Sequence, residues 1–208
     1  MKNKLILAFA SLIVSILVFI SFRTYMPLSP QKYLAKIYGD PNSNSEEKTI
    51  GDLVFKLKVI PPEALALRSI QPNFKKETYK KALTGYENTL NFIFSIQSPK
   101  GTDVMQGLVK SSQNYEDMVR YFAFDCKNDF FLFNQHDTLL CSFTHFERTF
   151  NLDSKITVSG TFFIPADSPL ATKHESFTIG YNGELLNLAF INFYFNHSDL
   201  LPKPNLIF

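Results

Sequence analysis

The sequence predicts a mainly β protein: an antiparallel immunoglobulin-like β-sandwich with one inserted helix, preceded by an N-terminal transmembrane helix. Three observations predict it. Apolar side chains recur with period two in several separate stretches after residue 50, the pattern of strands that turn one face to a core. Phe and Tyr, which suit pleated and half-buried surfaces, number 22 and 9, whereas Trp is absent. A charge-free apolar run, Leu5–Phe22, precedes everything else.

That run reads LILAFASLIVSILVFISF and is interrupted only by Ser11, Ser15 and Ser21. As a helix it covers roughly 27 Å, enough for the hydrocarbon core of a bilayer. A cleaved signal has a shorter apolar region followed by small residues at the cut. Here the one Ala-x-Ala, Ala8 to Ala10, lies inside the run, Ser21-Phe22-Arg23 makes a poor site, and no lipobox Cys follows. Residues 1–23 are therefore expected to be an uncleaved signal-anchor in the membrane, with secretion after cleavage as the alternative. Apolar character all round the helix, in an N-terminal segment, disfavours the alternative of a buried helix of a soluble domain. Lys2 and Lys4 lie before the run, and Arg23, Lys32 and Lys36 lie after it. The charges nearest the core slightly favour the N-terminus inside and the C-terminal domain outside the cytoplasm.

The formal charge of +2 belongs to this segment. Without Lys2, Lys4 and Arg23 the remainder carries 18 basic against 19 acidic side chains. A near-neutral domain lacks the basic footprint that a phosphate backbone requires, so nucleic acid is not an expected partner. The partners expected are the membrane, through the single helix, and a protein or surface component outside the cytoplasm.

Residues 24–48 contain Pro27, Pro30 and the polar run Asp40 to Ser45. They read as a linker with one short helical turn around Lys32 to Ile37. The domain is expected over 49–208. Leu53, Phe55, Leu57 and Val59 alternate with Val54, Lys56 and Lys58 in a strand that Pro61-Pro62 ends. Residues 72–87 are polar and helical in part, weakened by Gly85. Leu90, Phe92, Phe94 and Ile96 restore the alternation. Between Ser111 and Cys126 the spacing of Tyr115, Met118, Val119, Phe122 and Cys126 is helical, with Ser111 or Ser112 as cap and Glu116 and Asp117 in the first turn. Strands resume at 130–134 and 138–147 around a tight turn at His136-Asp137. Ile156, Val158, Phe162 and Ile164 mark another, ended by Pro165. Asn182-Gly183, between SFTIGY and ELLNLAFINFYF, suits a type I′ hairpin turn. The aromatic run Phe190, Phe193, Tyr194 and Phe195 reads as a strand buried on both faces, or as a sticky edge for a partner.

Chemistry-bearing constellations are sparse. His145 and Glu147 are two apart in an expected strand, so their side chains share a face and could serve a metal or acid–base chemistry. A third ligand would have to come from His136, His174 or His197, all in expected turns or loops. The bland reading, a hydrogen-bonded or solvent-facing pair, is favoured because His-x-Glu recurs by coincidence. There is no Gly-x-Ser-x-Gly elbow and no glycine-rich phosphate loop, and no cofactor is expected. Cys126 and Cys141 are the only cysteines. A disulfide between them is possible outside the cytoplasm if a closing helical turn shortens the gap, which in extended form exceeds what a bridge tolerates, and two buried free thiols are the favoured reading.

Asp125–Arg148 resembles a segment of small exported proteins of Bacteroidetes-type bacteria, many of them lipoproteins, in its Asp137-Thr138-Leu139 turn and its His145-Phe146-Glu147-Arg148 strand. Gly160–Pro165 and Phe177–Tyr181 resemble late strands of immunoglobulin-like exported domains. The chain departs from the lipoprotein pattern in lacking the acylated Cys. The resemblance implies a fold and a compartment, and no activity. The expected function is that of a membrane-tethered, non-enzymatic interaction module outside the cytoplasm. The alternatives are a small envelope hydrolase or metal-binding protein using His145 and Glu147, and a structural subunit of an envelope assembly.

If Leu5–Phe22 is retained, the full chain stays in the pellet after alkaline carbonate extraction and N-terminal sequencing begins upstream of Phe22. A soluble product beginning beyond Phe22 would exclude the anchor.

Overall fold

The computed structural model describes residues 27–108, 112–147, 154–171, 176–196, 200 and 203–208. The Leu5–Phe22 run lies outside them, as do Ser111, Arg148, His174 and His197. Among the described residues no helix is long and apolar enough to cross a membrane.

Nine strands among the described residues form two antiparallel sheets: β1 (Ser45–Ile50), β2 (Leu53–Ile60), β3 (Thr89–Gln97), β4 (Phe130–Phe133), β5 (Thr138–Leu140), β6 (Phe143–Phe146), β7 (Ile156–Phe163), β8 (Phe177–Tyr181) and β9 (Ile191–Phe195). One sheet runs β1-β2-β3-β7-β6 and the other β5-β4-β8-β9. The mainly β class read from period-two alternation is what the chain adopts.

The single inserted helix is a correction. Among the described residues there are five α-helices: α1 (Pro30–Gly39), α2 (Pro62–Ser69), α3 (Lys76–Thr84), α4 (Val104–Leu108) and α5 (Ser112–Arg120). The helix expected over 111–126 is α5, which loosens into a π-turn at Tyr121–Asp125 and tightens into a 3₁₀ turn at Cys126–Asp129. The linker expected over 24–48 is corrected too. Ser29 caps α1, accepting a hydrogen bond from Lys32 N (3.3 Å), and Pro30 opens its first turn. Tyr33, Leu34 and Ile37 bury the same helical stripe. β1 begins at Ser45, before the expected domain start at Thr49, and pairs along its length with β2.

The two sheets enclose the larger core. Cross-strand neighbours Leu57, Phe94 and Val158 point inward from the five-stranded sheet. Phe130, Leu132, Ile179, Tyr181 and Phe193 meet them from the other sheet. Phe94 lies 5.1 Å from Phe130 and 4.8 Å from Tyr181, ring centre to ring centre. The helical segments 104–108 and 112–126 cover this core with Val104, Met105, Phe122 and Cys126. A second, smaller core lies on the outer side of the five-stranded sheet. There α1, α2 and α3 bury Tyr33, Ile37, Ala64, Leu67 and Tyr79 against Ile60 and Ile93. The molecule is thus layered: helices, five-stranded sheet, four-stranded sheet, solvent.

The strand expected over 138–147 is two strands in different sheets. Cys141 N still donates to Phe130 O beside β4 (3.0 Å), whereas Ser142 N donates to Thr161 O of β7 (2.9 Å). One peptide therefore carries the chain from the four-stranded to the five-stranded sheet. On the opposite side, the backbone N–H of Tyr194 in β9 donates to the Glu46 carboxylate of β1. The type I′ turn at Asn182-Gly183 is also corrected. Gly183 has φ −86°, the connection continues through a 3₁₀ turn (Glu184–Leu186), and Asn187 takes the left-handed conformation at φ 56°. Hydrogen bonds from Asn182 N to Asp129 O (2.8 Å) and Asn182 Nδ2 to Asp129 Oδ1 (3.2 Å) hold Asn182 out of a two-residue turn.

Gly160 faces Phe92 across the β3–β7 ladder, and a Cβ there would meet the Phe92 ring at 2.1 Å. Phe92 is itself packed 4.9 Å from Phe130 and 5.4 Å from Phe162. We therefore expect Gly160→Ala to destabilise the protein by about 1–3 kcal/mol through overpacking. Gly107→Ala in α4, where a Cβ meets nothing within 4 Å, should be neutral or slightly stabilising. Urea unfolding midpoints of the two variants give the comparison, and equal midpoints would contradict the packing argument.

Candidate functional site

Strand parity decides what the four-stranded sheet shows to solvent. In β4, Phe130 and Leu132 point into the core, so Phe131 and Phe133 point out. The register then builds two rows across the outer face. Leu140, Phe131, Gly180 and Asn192 form one, and Thr138, Phe133, Thr178 and Tyr194 the other. Gly180 leaves room that Phe190 fills: a Cβ there would meet the Phe190 ring at 2.3 Å. Phe190 lies 5.7 Å from Phe131 and 6.4 Å from Phe133.

Among the described residues no helix covers this face. Leu140, Phe190 and Tyr194 are 61%, 46% and 60% exposed. The run over 190–195 is therefore not buried on both faces as expected: β9 alternates, and Tyr194 looks outward. Lys48 of β1 stands 5.4 Å above the Tyr194 ring, within cation–π range, and pairs with Glu46 at 2.6 Å. Where the second row ends, a shallow cavity of about 320 Å³ is lined by Phe133, Gln135, Phe177, Thr178 and Tyr194, among others. Its lining offers aromatic rings, amides and hydroxyls, and no carboxylate, amine or imidazole. Asn192 Oδ1, in the first row, is buried with no hydrogen-bond partner.

The sequence-predicted residues lie elsewhere. His145 is exposed on the outer face of the five-stranded sheet, opposite Ser159, and Glu147 follows it just past the end of β6, also exposed. His136 is in the β4–β5 turn, where its backbone N–H donates to Asn134 Oδ1 (2.9 Å). Among the described residues no three His, Cys, Asp or Glu side chains group to hold a metal.

Cys126 and Cys141 are both buried and unbridged. Their thiols serve different carbonyls. Cys126 Sγ donates to Phe122 O (3.1 Å) and lies 3.4 Å from Thr144 Oγ1, while Cys141 Sγ donates to Phe143 O (3.2 Å). Burial pushes the Cys126 thiol up to about 11, opposed by its hydrogen bond to Thr144, and burial raises Cys141 as well. Beside them a polar group bridges the layers. Tyr121 Oη donates to Asp129 Oδ2 (2.6 Å), and the Tyr121 and Tyr181 hydroxyls are 3.1 Å apart. Burial, more than any neighbour, raises both phenols well above their ordinary value. Sequence reasoning missed this group because its members are 8 and 60 residues apart and only the fold brings them together.

No protein-family model and no curated protein matches the chain. Among solved structures, a protein of unknown function from Burkholderia pseudomallei is similar at TM-score 0.38 and 11% identity, over 84% of this chain and 96% of the other.

The buried thiols and phenols fix the sign of the pH dependence. Each protonated form is favoured by folding, so above pH 9 the unfolded chain releases protons that the folded chain keeps. The stability these groups contribute is complete below their unfolded values, 9.0 for Cys and 10.0 for Tyr. It is lost as pH rises toward the folded values, about 11 for Cys126 and about 12 for Tyr79. Denaturation midpoints should fall between pH 9 and pH 11, and the thiols should alkylate at the rate of a free thiol only once the chain unfolds. Rapid labelling of both cysteines in the native protein would contradict their burial.

Proposed function

We propose that this chain is a non-enzymatic recognition module, held at the membrane by Leu5–Phe22 with its folded part outside the cytoplasm. The observation that carries the reading is the exposed aromatic face of the four-stranded sheet: Leu140, Phe131, Phe190, Phe133 and Tyr194 form one contiguous surface that no element among the described residues covers. Burying such a surface on a partner removes apolar area from water at about 25 cal/mol per Å². Aromatic side chains do so with few rotamers to immobilise, which is why they anchor interfaces. The finer reading of the fold, an immunoglobulin-like sandwich of the exported kind, belongs to this proposal. Such domains likewise turn one sheet face and a set of loops toward a partner.

The catalytic alternative draws no support from the arrangement of His145 and Glu147. Both are exposed, and no third ligand stands near them among the described residues.

A photo-crosslinking residue at position 140 or 194 tests the proposal in membranes of cells making the full chain. We expect a discrete crosslinked species from these two positions and none from position 77 on α3. With the crosslinking residue at 140, Tyr194→Glu should abolish it, and with the residue at 194, Leu140→Glu should do the same, neither change altering far-UV circular dichroism because both side chains are exposed. Crosslinks that form equally at all three positions, or at none, would overturn the reading.

A further inference from the structure

The helical layer on the far side of the molecule carries a charge and a position that have no role in the aromatic face. Lys32 and Lys36 lie on the exposed side of α1, and Lys75, Lys76, Lys80 and Lys81 are exposed at and along α3. Against these six lysines the two helices contribute one acid, Glu77. The rest of residues 24–208 then holds twelve basic and eighteen acidic side chains. Between them α2 contributes Glu63 and Arg68, which cancel, so the near-neutral domain is polarised, with an excess of positive charge on this layer and of negative charge elsewhere.

The chain path puts this layer at the tether. Leu28 N donates to Asn205 O (2.8 Å) and Ile207 N to Leu28 O (3.0 Å), so residue 28 is held beside residues 205–207. The next residue, Phe208, packs 5.0 Å from Tyr79 of α3. Leu28, near the start of the described residues, is therefore linked through residues 205–208 to α3, only six residues after Phe22. Six residues reach no further than about 22 Å. Ile207 and Phe208 are 58% and 40% exposed, and Phe208 meets α3 at Tyr79, whose sequence neighbours include Lys76 and Lys80. Lysines flanking exposed apolar side chains are the chemistry of a surface that lies on lipid headgroups.

We infer that the α1–α3 layer is a membrane-facing surface that docks on anionic lipid headgroups and turns the aromatic face away from the bilayer. This rests on the proposed tether and holds for either leaflet. Lysines supply the attraction, Ile207 and Phe208 reach the headgroup region, and the short connection keeps the layer within range.

The test uses the full chain in lipid nanodiscs of phosphatidylcholine alone and of phosphatidylcholine with phosphatidylglycerol. Lysine acetylation is read by mass spectrometry, with Lys127 as internal reference. We expect Lys76, Lys80 and Lys81 to react about fivefold more slowly in the anionic discs than in the neutral ones. The difference should shrink as salt shortens the Debye length, and Lys76→Glu with Lys80→Glu should remove the protection of Lys81. Equal reactivity in both disc types, with the chain incorporated in each, would overturn the inference and leave the tether standing. Failure of the chain to incorporate into either disc would refute the tether and the docking surface with it.

Discussion

Phe94 stands where every layer of the larger core meets. Its ring is within 6.2 Å of Phe55 in its own sheet and of Phe193 in the other, and closer still to Phe130 and Tyr181. The strand that carries it, β3, is paired on both sides by β2 and β7. Because successive side chains leave a strand on opposite faces, Phe92 and Phe94 enter the space between the sheets while Ile93 joins the helical core. A one-residue slip of β3 would exchange the contents of the two cores. The Phe92–Gly160 contact guards against it, since only a glycine across the ladder leaves space for that ring.

Once β3 is placed, the two sheets have little freedom. The peptide between Cys141 and Ser142 ties one side by continuity of the chain, and the Tyr194–Glu46 hydrogen bond ties the other. The Tyr121–Asp129–Tyr181 hydroxyl and carboxylate group closes the helical end, satisfying polar atoms that burial would otherwise leave costly. The outer face of the five-stranded sheet is partly occupied by α1 to α3, and among the described residues no helix covers the outer face of the four-stranded sheet. The asymmetry between a basic helical side and an aromatic sheet side follows from this layering.

Two glycines illustrate how one local device serves opposite ends. At Gly160 the ring of Phe92 fills the gap from inside and belongs to stability. At Gly180 the ring of Phe190 fills it from outside and remains 46% exposed. The same covering of a strand glycine by an aromatic ring produces a core in one place and a surface platform in the other.

Periodicity alone determined the mainly β class and located β2, β3, β4 and β7, because alternation is a property of neighbouring residues. It also placed α5, whose Tyr115, Met118 and Phe122 keep helical spacing. The stripe of Tyr33, Leu34 and Ile37 was equally local, but the prolines and polar residues around it read as a linker until a second core was there to receive it. Only the tertiary structure split 138–147 between two sheets, bent Asn182-Gly183 out of a hairpin turn through Asp129, and left Tyr194 exposed while burying Phe193. Each of these depends on which strand lies alongside, a contact between residues tens of positions apart in the chain. A charge total near zero likewise hid the lysine layer, because net charge sums over a sequence whereas an electric field depends on where the fold sets each charge in space.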